Sequence, residues 1–188
     1  MGQYCNQAGL ELQLIEVDVA RSDDEDMLDE TAFGKVLSIL RGFTPGEDFI
    51  IVTPSCSTYS RAPFANNWGP APVRDYQFPE GYPWLEGRAR ERATAGTTLV
   101  ERAKQLICTA IDLRILWLLE FPEDLGTRPN GARPASLFQD ASFCEKLDKA
   151  KASTLAFFRC QWPDEQARKP TRICTNIPGF KQAAAPFQ

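Results

Sequence analysis

Asp48–Thr53 reads DFIIVT, a short continuous apolar run that halts at Pro54, and its reading decides the fold. A run of this length, bounded by turn residues, is the pattern of a strand buried on both faces of a parallel sheet. Upstream, Thr31–Arg41 (TAFGKVLSILR) sets Phe33, Val36, Leu37 and Leu40 on one helical face, and Gly42 with Pro45-Gly46 ends it. Further upstream, Leu12–Val19 (LQLIEVDV) is read as an alternation of apolar and polar residues with β-branched content, which predicts a strand that runs into a polar loop. Downstream, Arg88–Leu113 carries a stripe of Leu99, Ala103, Leu106, Ile107, Ala110 and Ile111, which predicts a long helix. Ile115–Glu120 (ILWLLE) then predicts a second buried strand ending at Pro122, Phe143–Lys151 a helix, and Leu155–Cys160 and Thr171–Asn176 two short strands. Strands separated by helices imply an α/β sheet with helices on both faces.

The 188 residues suit a single domain, with a core over about residues 10–176 and a disordered tail over 177–188. Between Pro54 and Gly87 the chain is rich in Pro, Gly and aromatic residues, a length and composition typical of functional loops. There is no histidine, which removes Ser-His-Asp and Cys-His nucleophile pairs and His-ligated zinc together. The six cysteines at 5, 56, 108, 144, 160 and 174 never reach a C-x-x-C spacing, so a zinc knuckle or a dithiol redox pair is not expected, nor any other metal. No charged n-region with an apolar h-region opens the chain, and no apolar run is long enough to span a bilayer; an intracellular protein of nucleus or cytoplasm is expected. Net charge is −4, with 11 acids and 3 bases in residues 1–51 against 14 and 18 in the remainder. A polyanion would meet the second part of the chain.

In open α/β sheets, functional groups gather on loops that leave the carboxyl ends of strands. Two places obey that rule: Pro54-Ser55-Cys56 after DFIIVT, and Glu120-Phe121-Pro122 after ILWLLE. A cysteine and a carboxylate so placed suit attack on an aromatic ring that needs protonation, and cytosine C5 methylation is such a reaction, needing no histidine. A phosphatase loop is excluded, because Cys56 and Arg61 are separated by four residues where that chemistry needs five.

TPSCSTYSRA (Thr53–Ala62) resembles the Pro-Pro-Cys loop of DNA cytosine-5 methyltransferases, and LLEFPEDLG (Leu118–Gly126) resembles their Glu-Asn-Val or Glu-Asn-Pro loop. The ordered set GPAPVRDYQFPEGYPWL, LEFPEDLG, RPASLFQ and CQWPDEQARKPTRICTN looks like methyltransferase-like segments embedded in retroelement-derived reading frames of protists. The resemblance implies a Rossmann-like, three-layer fold truncated at its N-terminus, which binds S-adenosyl-L-methionine (AdoMet) and DNA, in this chain as part of a larger polypeptide. It gives Cys56 the nucleophile position and Glu120 the base-binding carboxylate. It sets Glu16 and Asp18 at the cofactor ribose, Asp26 near the adenine and Pro54 beside the cofactor, with Arg61, Arg168 and Arg172 toward nucleic acid. The chain departs from the family at Ser55, where a second proline is usual, and at Phe121. The family's glycine-rich cofactor loop should precede Leu10, where only MGQYCNQAG stands. A non-catalytic binding or scaffold module on the same fold is the alternative.

Overall fold

A computed structural model of the chain describes residues 13–18, 22–64, 69–158 and 169–185. In chain order the elements are α1 (Glu30–Arg41), β1 (Phe49–Val52), α2 (Gly87–Asp112), β2 (Leu116–Pro122), α3 (Ala141–Lys149), β3 (Ser153–Phe158), β4 (Pro170–Thr175) and α4 (Phe180–Ala184). The four strands form one mixed sheet in the order β1-β2-β4-β3. β1 and β2 are parallel, joined by the 54–86 segment and α2; β4 lies antiparallel between β2 and β3. The architecture is mixed α/β.

The alternation of β2 explains how the sheet is covered. Trp117, Leu119 and Phe121 are fully buried, and with Val52 and Cys174 they face the main core under α1, α2 and α3. On the other face, Leu155, Phe157 and Ile173 meet Ala184 and Phe180 of α4. That helix covers the β3–β4 side of the face, whereas Ile51 of β1 is 41% exposed. Glu120 pairs with Ile173, and Pro122 with Thr171, so both belong to this half-covered face. The uncovered part is where the cleft lies.

Local signals set the helix ends. Asp29 caps α1, accepting from Ala32 N at 2.9 Å, and Asp140 caps α3, accepting from Phe143 N at 3.1 Å. Asp140 also takes a 2.7 Å bond from Lys104 Nζ of α2, which ties the two helices together and holds its carboxyl well below the usual carboxylate range. A depressed carboxylate contributes stability above its unfolded pKa of about 3.9 and loses it as the pH falls toward the folded value. Asp140→Asn keeps a capping oxygen and loses the ion pair. The substitution is expected to cost about 0.5–1.5 kcal/mol at pH 7, and the difference from wild type to shrink steadily below about pH 4 in urea unfolding.

Two expectations are corrected. Residues 13–18 form no strand: Leu14 and Ile15 are 55% and 53% exposed, and no described residue pairs with them in a ladder. The apolar phase switches between Leu14 and Ile15, so a strand here would have no single apolar face to bury. Residues 177–185 are not a structureless tail. Gly179 takes φ +77° and starts α4, whose Ala184 is buried against Leu155 and Phe157. The Pro178-Gly179 pair is the entry to a helix, not the end of the fold.

Candidate functional site

The carboxyl ends of β1 and β2 open into a cleft of about 720 Å³. Thr53, Pro54, Ser55, Cys56 and Ser57 form one wall on the loop after β1; Leu118 and Glu120 come from β2, Phe157 from β3, and Lys169, Thr171 and Ile173 from the β4 side. Cys56 and Glu120 therefore line one cleft, the juxtaposition that the carboxyl-end rule anticipates. Leu118, Phe157 and Ile173 supply an apolar surface, and the 53–57 wall supplies hydroxyls. Its volume falls within the range of small-molecule sites.

The Cys56 wall is fixed from behind. The Cys56 carbonyl accepts from both Tyr59 N and Ser60 N at 3.0 Å, which folds the loop into a tight turn. Thr58 and Tyr59 are buried, and the Tyr59 ring meets Phe121 edge-on at 5.7 Å. Behind Tyr59, the guanidinium of Arg74 stands 4.1 Å from the ring centroid. Arg74 is wholly buried and donates to Pro79 O at 2.6 Å, to Thr97 Oγ1 at 3.1 Å and to Ala93 O. No carboxylate pairs with it among the described residues, and burial pushes its pKa down. Gly96 of α2 is the point of closest approach, since a Cβ there would stand 2.3 Å from Thr58 Oγ1.

Across the cleft, Lys169 Nζ lies 3.4 Å from Glu120 Oε1, with 29% and 22% of the two side chains exposed. At 3.4 Å, with neither group fully buried, the pair is a single long contact and not a tight bidentate one, so it can exchange for a better partner. The next acid along, Glu123, is engaged differently. Arg172 grips it through Nε at 2.6 Å and Nη2 at 2.7 Å, and donates to Thr154 Oγ1 at 2.9 Å. The Glu123 carboxylate raises the Arg172 pKa further. Arg172 alternates with the cleft-lining Thr171 and Ile173, so it projects to the opposite face, over Phe138.

The residues implied by the resemblance are thus distributed unevenly. Cys56, Glu120 and Pro54 line the cleft. Glu16 and Asp18 lie on the exposed 13–18 stretch. Asp26 accepts from Leu28 N at 2.8 Å in the turn before α1. Among the described residues, neither that pair nor Asp26 belongs to the cleft lining. Arg61 lines a separate void of about 10 Å³ with Tyr59 and Glu123, and Arg168 lies outside the described residues.

Lys169, Thr171 and Phe157 are site residues that sequence reasoning missed. Lys169 and Thr171 share one signal, the alternation Lys169, Thr171, Ile173 into β4, readable as one face only once Glu120 is known to pair with Ile173, and Phe157 joins them from β3 as the partner of Thr171. Of the four described cysteines, Cys108, Cys144 and Cys174 are pushed up in pKa by burial, which suppresses their thiolates. Among the described residues no group of His, Cys, Asp or Glu is arranged to hold a metal, and no helix is long and apolar enough to cross a membrane. Comparison with known protein families, curated proteins and solved structures finds no match to this chain.

Proposed function

We propose that the cleft is a nucleobase site of the cytosine-5-methyltransferase type on a Rossmann-like sheet, in which Cys56 is the nucleophile and Glu120 the ring-binding acid. The observation that supports this reading is that Cys56, on the loop after β1, and Glu120, near the end of the neighbouring parallel strand β2, line one cleft with an apolar surface. A planar pyrimidine would lie against Leu118 and Ile173. The Cys56 thiol gives up its proton as its sulfur adds to C6, the C5–C6 π electrons move into the ring, and Glu120 relays that proton to N3. The adduct forms one S–C bond, consumes no oxidant and reverses by the same path. Base recognition and reversible addition, without methyl transfer, are the part of the family's chemistry that Cys56 and Glu120 support.

The test is an oligodeoxynucleotide carrying 2-pyrimidinone in place of one cytosine. Without the 4-amino donor, C6 is more electrophilic and the adduct accumulates. Denaturing mass spectrometry of the whole chain is expected to show a covalent species in the wild type, with or without AdoMet, and none in Cys56→Ala. Glu120→Gln is expected to slow its formation by about 100-fold, the lower range for a lost general acid. An adduct that persists in Cys56→Ala, or no adduct in the wild type, overturns the reading.

A further inference from the structure

The Lys169–Glu120 pair has a consequence for what the cleft can accept. Among the described residues, Glu120 is the one partner that Lys169 Nζ reaches, at 3.4 Å. A neutral pyrimidine that engages Glu120 through its ring nitrogen takes that partner away, and the ammonium is left partly buried with no counter-charge. Such a group is costly unless the ligand brings an anion of its own. The facing wall carries Thr53, Ser55 and Ser57, whose side chains are exposed to solvent at the cleft. One cation and hydroxyl-bearing residues around a base-sized apolar surface are the kinds of donor that a phosphate oxygen accepts from.

We infer that Lys169 is a phosphate-binding residue, and that the ligand is a pyrimidine nucleotide whose phosphate replaces Glu120 on Lys169 as its base takes Glu120. The inference rests on the reading of the cleft as a nucleobase site and adds to it the ligand's charge and the residue that reads it. The empty cleft holds Glu120 on Lys169. The occupied cleft exchanges one weak, half-wet pair for two stronger ones, a charge-assisted ammonium–phosphate contact and a carboxyl–base contact.

The whole chain is titrated calorimetrically with deoxycytidine, dCMP, dTMP, inorganic phosphate and a cytosine-centred deoxytrinucleotide. dCMP is expected to bind about tenfold or more tightly than deoxycytidine, and inorganic phosphate more weakly than dCMP. Lys169→Ala is expected to remove the dCMP advantage while leaving deoxycytidine binding unchanged or tighter, because Glu120 is released. Lys169→Arg, which keeps the cation, is expected to retain dCMP binding. A merely structural lysine would weaken nucleoside and nucleotide alike. Equal affinity for deoxycytidine and dCMP, full dCMP affinity in Lys169→Ala, or no binding by any probe overturns the inference. Equal binding of dTMP and dCMP with the phosphate advantage intact removes the cytosine reading and leaves the role of Lys169 standing. The trinucleotide separates the two sources of the phosphate: tighter binding than dCMP identifies a strand, weaker binding a free nucleotide.

Discussion

Arg74→Ala is expected to lower the stability of the chain by about 3–5 kcal/mol, a fall in Tm of about 6–20 °C for a chain of this length. Two effects add. The truncation empties the space of a long, wholly buried side chain, and it removes the donors to Pro79 O, at 2.6 Å, and to the buried Ala93 O. The guanidinium also supports the Tyr59 ring, and Tyr59 in turn meets Phe121 at the end of the strand that carries Glu120. Both walls of the cleft thus lean on one side chain.

A buried charge without a carboxylate is itself unfavourable, and replacing buried ionic groups by well-packed apolar ones is often neutral or stabilising. Arg74→Met separates the two contributions. It keeps much of the volume and removes the desolvation cost, so a loss of about 1–3 kcal/mol is expected from the lost hydrogen bonds alone. If Arg74→Met equals Arg74→Ala, the hydrogen bonds dominate; if it matches wild type, packing does. A second readout reports on the site. With the turn held by Arg74 and Tyr59, Cys56 alkylates at one rate under native conditions, and Arg74→Ala is expected to raise that rate several-fold at temperatures where the variant is still folded. Unchanged Cys56 reactivity in a destabilised Arg74→Ala would show that the arginine supports the fold and not the loop.

The parts of this architecture that could be read from sequence are those whose signal is local. DFIIVT and ILWLLE are legible as buried strands because their apolar residues, Phe49–Val52 and Ile115–Leu119, run without interruption, and β1 and β2 fall within two residues of those runs. Arg88–Leu113 is a helix because its apolar residues recur at helical spacing, and Gly87–Asp112 is α2. The placement of β4 was not legible. Its own residues would serve equally well at a sheet edge, and its antiparallel position between β2 and β3 is decided by non-local pairing and by anchors such as Asn176, which bonds Trp117 N at 2.7 Å and Ile115 O at 2.9 Å. The site divides along the same line. Cys56 and Glu120 can be brought together from the direction of two parallel strands alone. Lys169 cannot, because its position beside Glu120 depends on the β2–β4 register, 49 residues away in sequence.

Trp117→Ala is expected to be as severe as any substitution in the strands, about 3–5 kcal/mol in urea unfolding. Trp117 is the largest fully buried side chain of the core, on the face of β2 opposite Glu120. Its indole fixes which way the strand faces: with Trp117, Leu119 and Phe121 seated under the helices, Leu118 and Glu120 must look into the cleft. The strand cannot rotate without exposing three apolar side chains. The indole nitrogen has no hydrogen-bond partner among the described residues, so the side chain contributes volume and apolar area rather than a polar contact. Trp117→Phe is therefore expected to recover most of the loss, since it removes an unsatisfied N–H together with part of the ring. A Trp117→Phe variant as unstable as Trp117→Ala would mean that the indole N–H has a partner in solution, most simply a buried water. A Trp117→Ala variant that unfolds near the wild-type midpoint would mean that β2 is held by its neighbours and not by its own core face. In that case the orientation of Glu120 toward the cleft would need another cause.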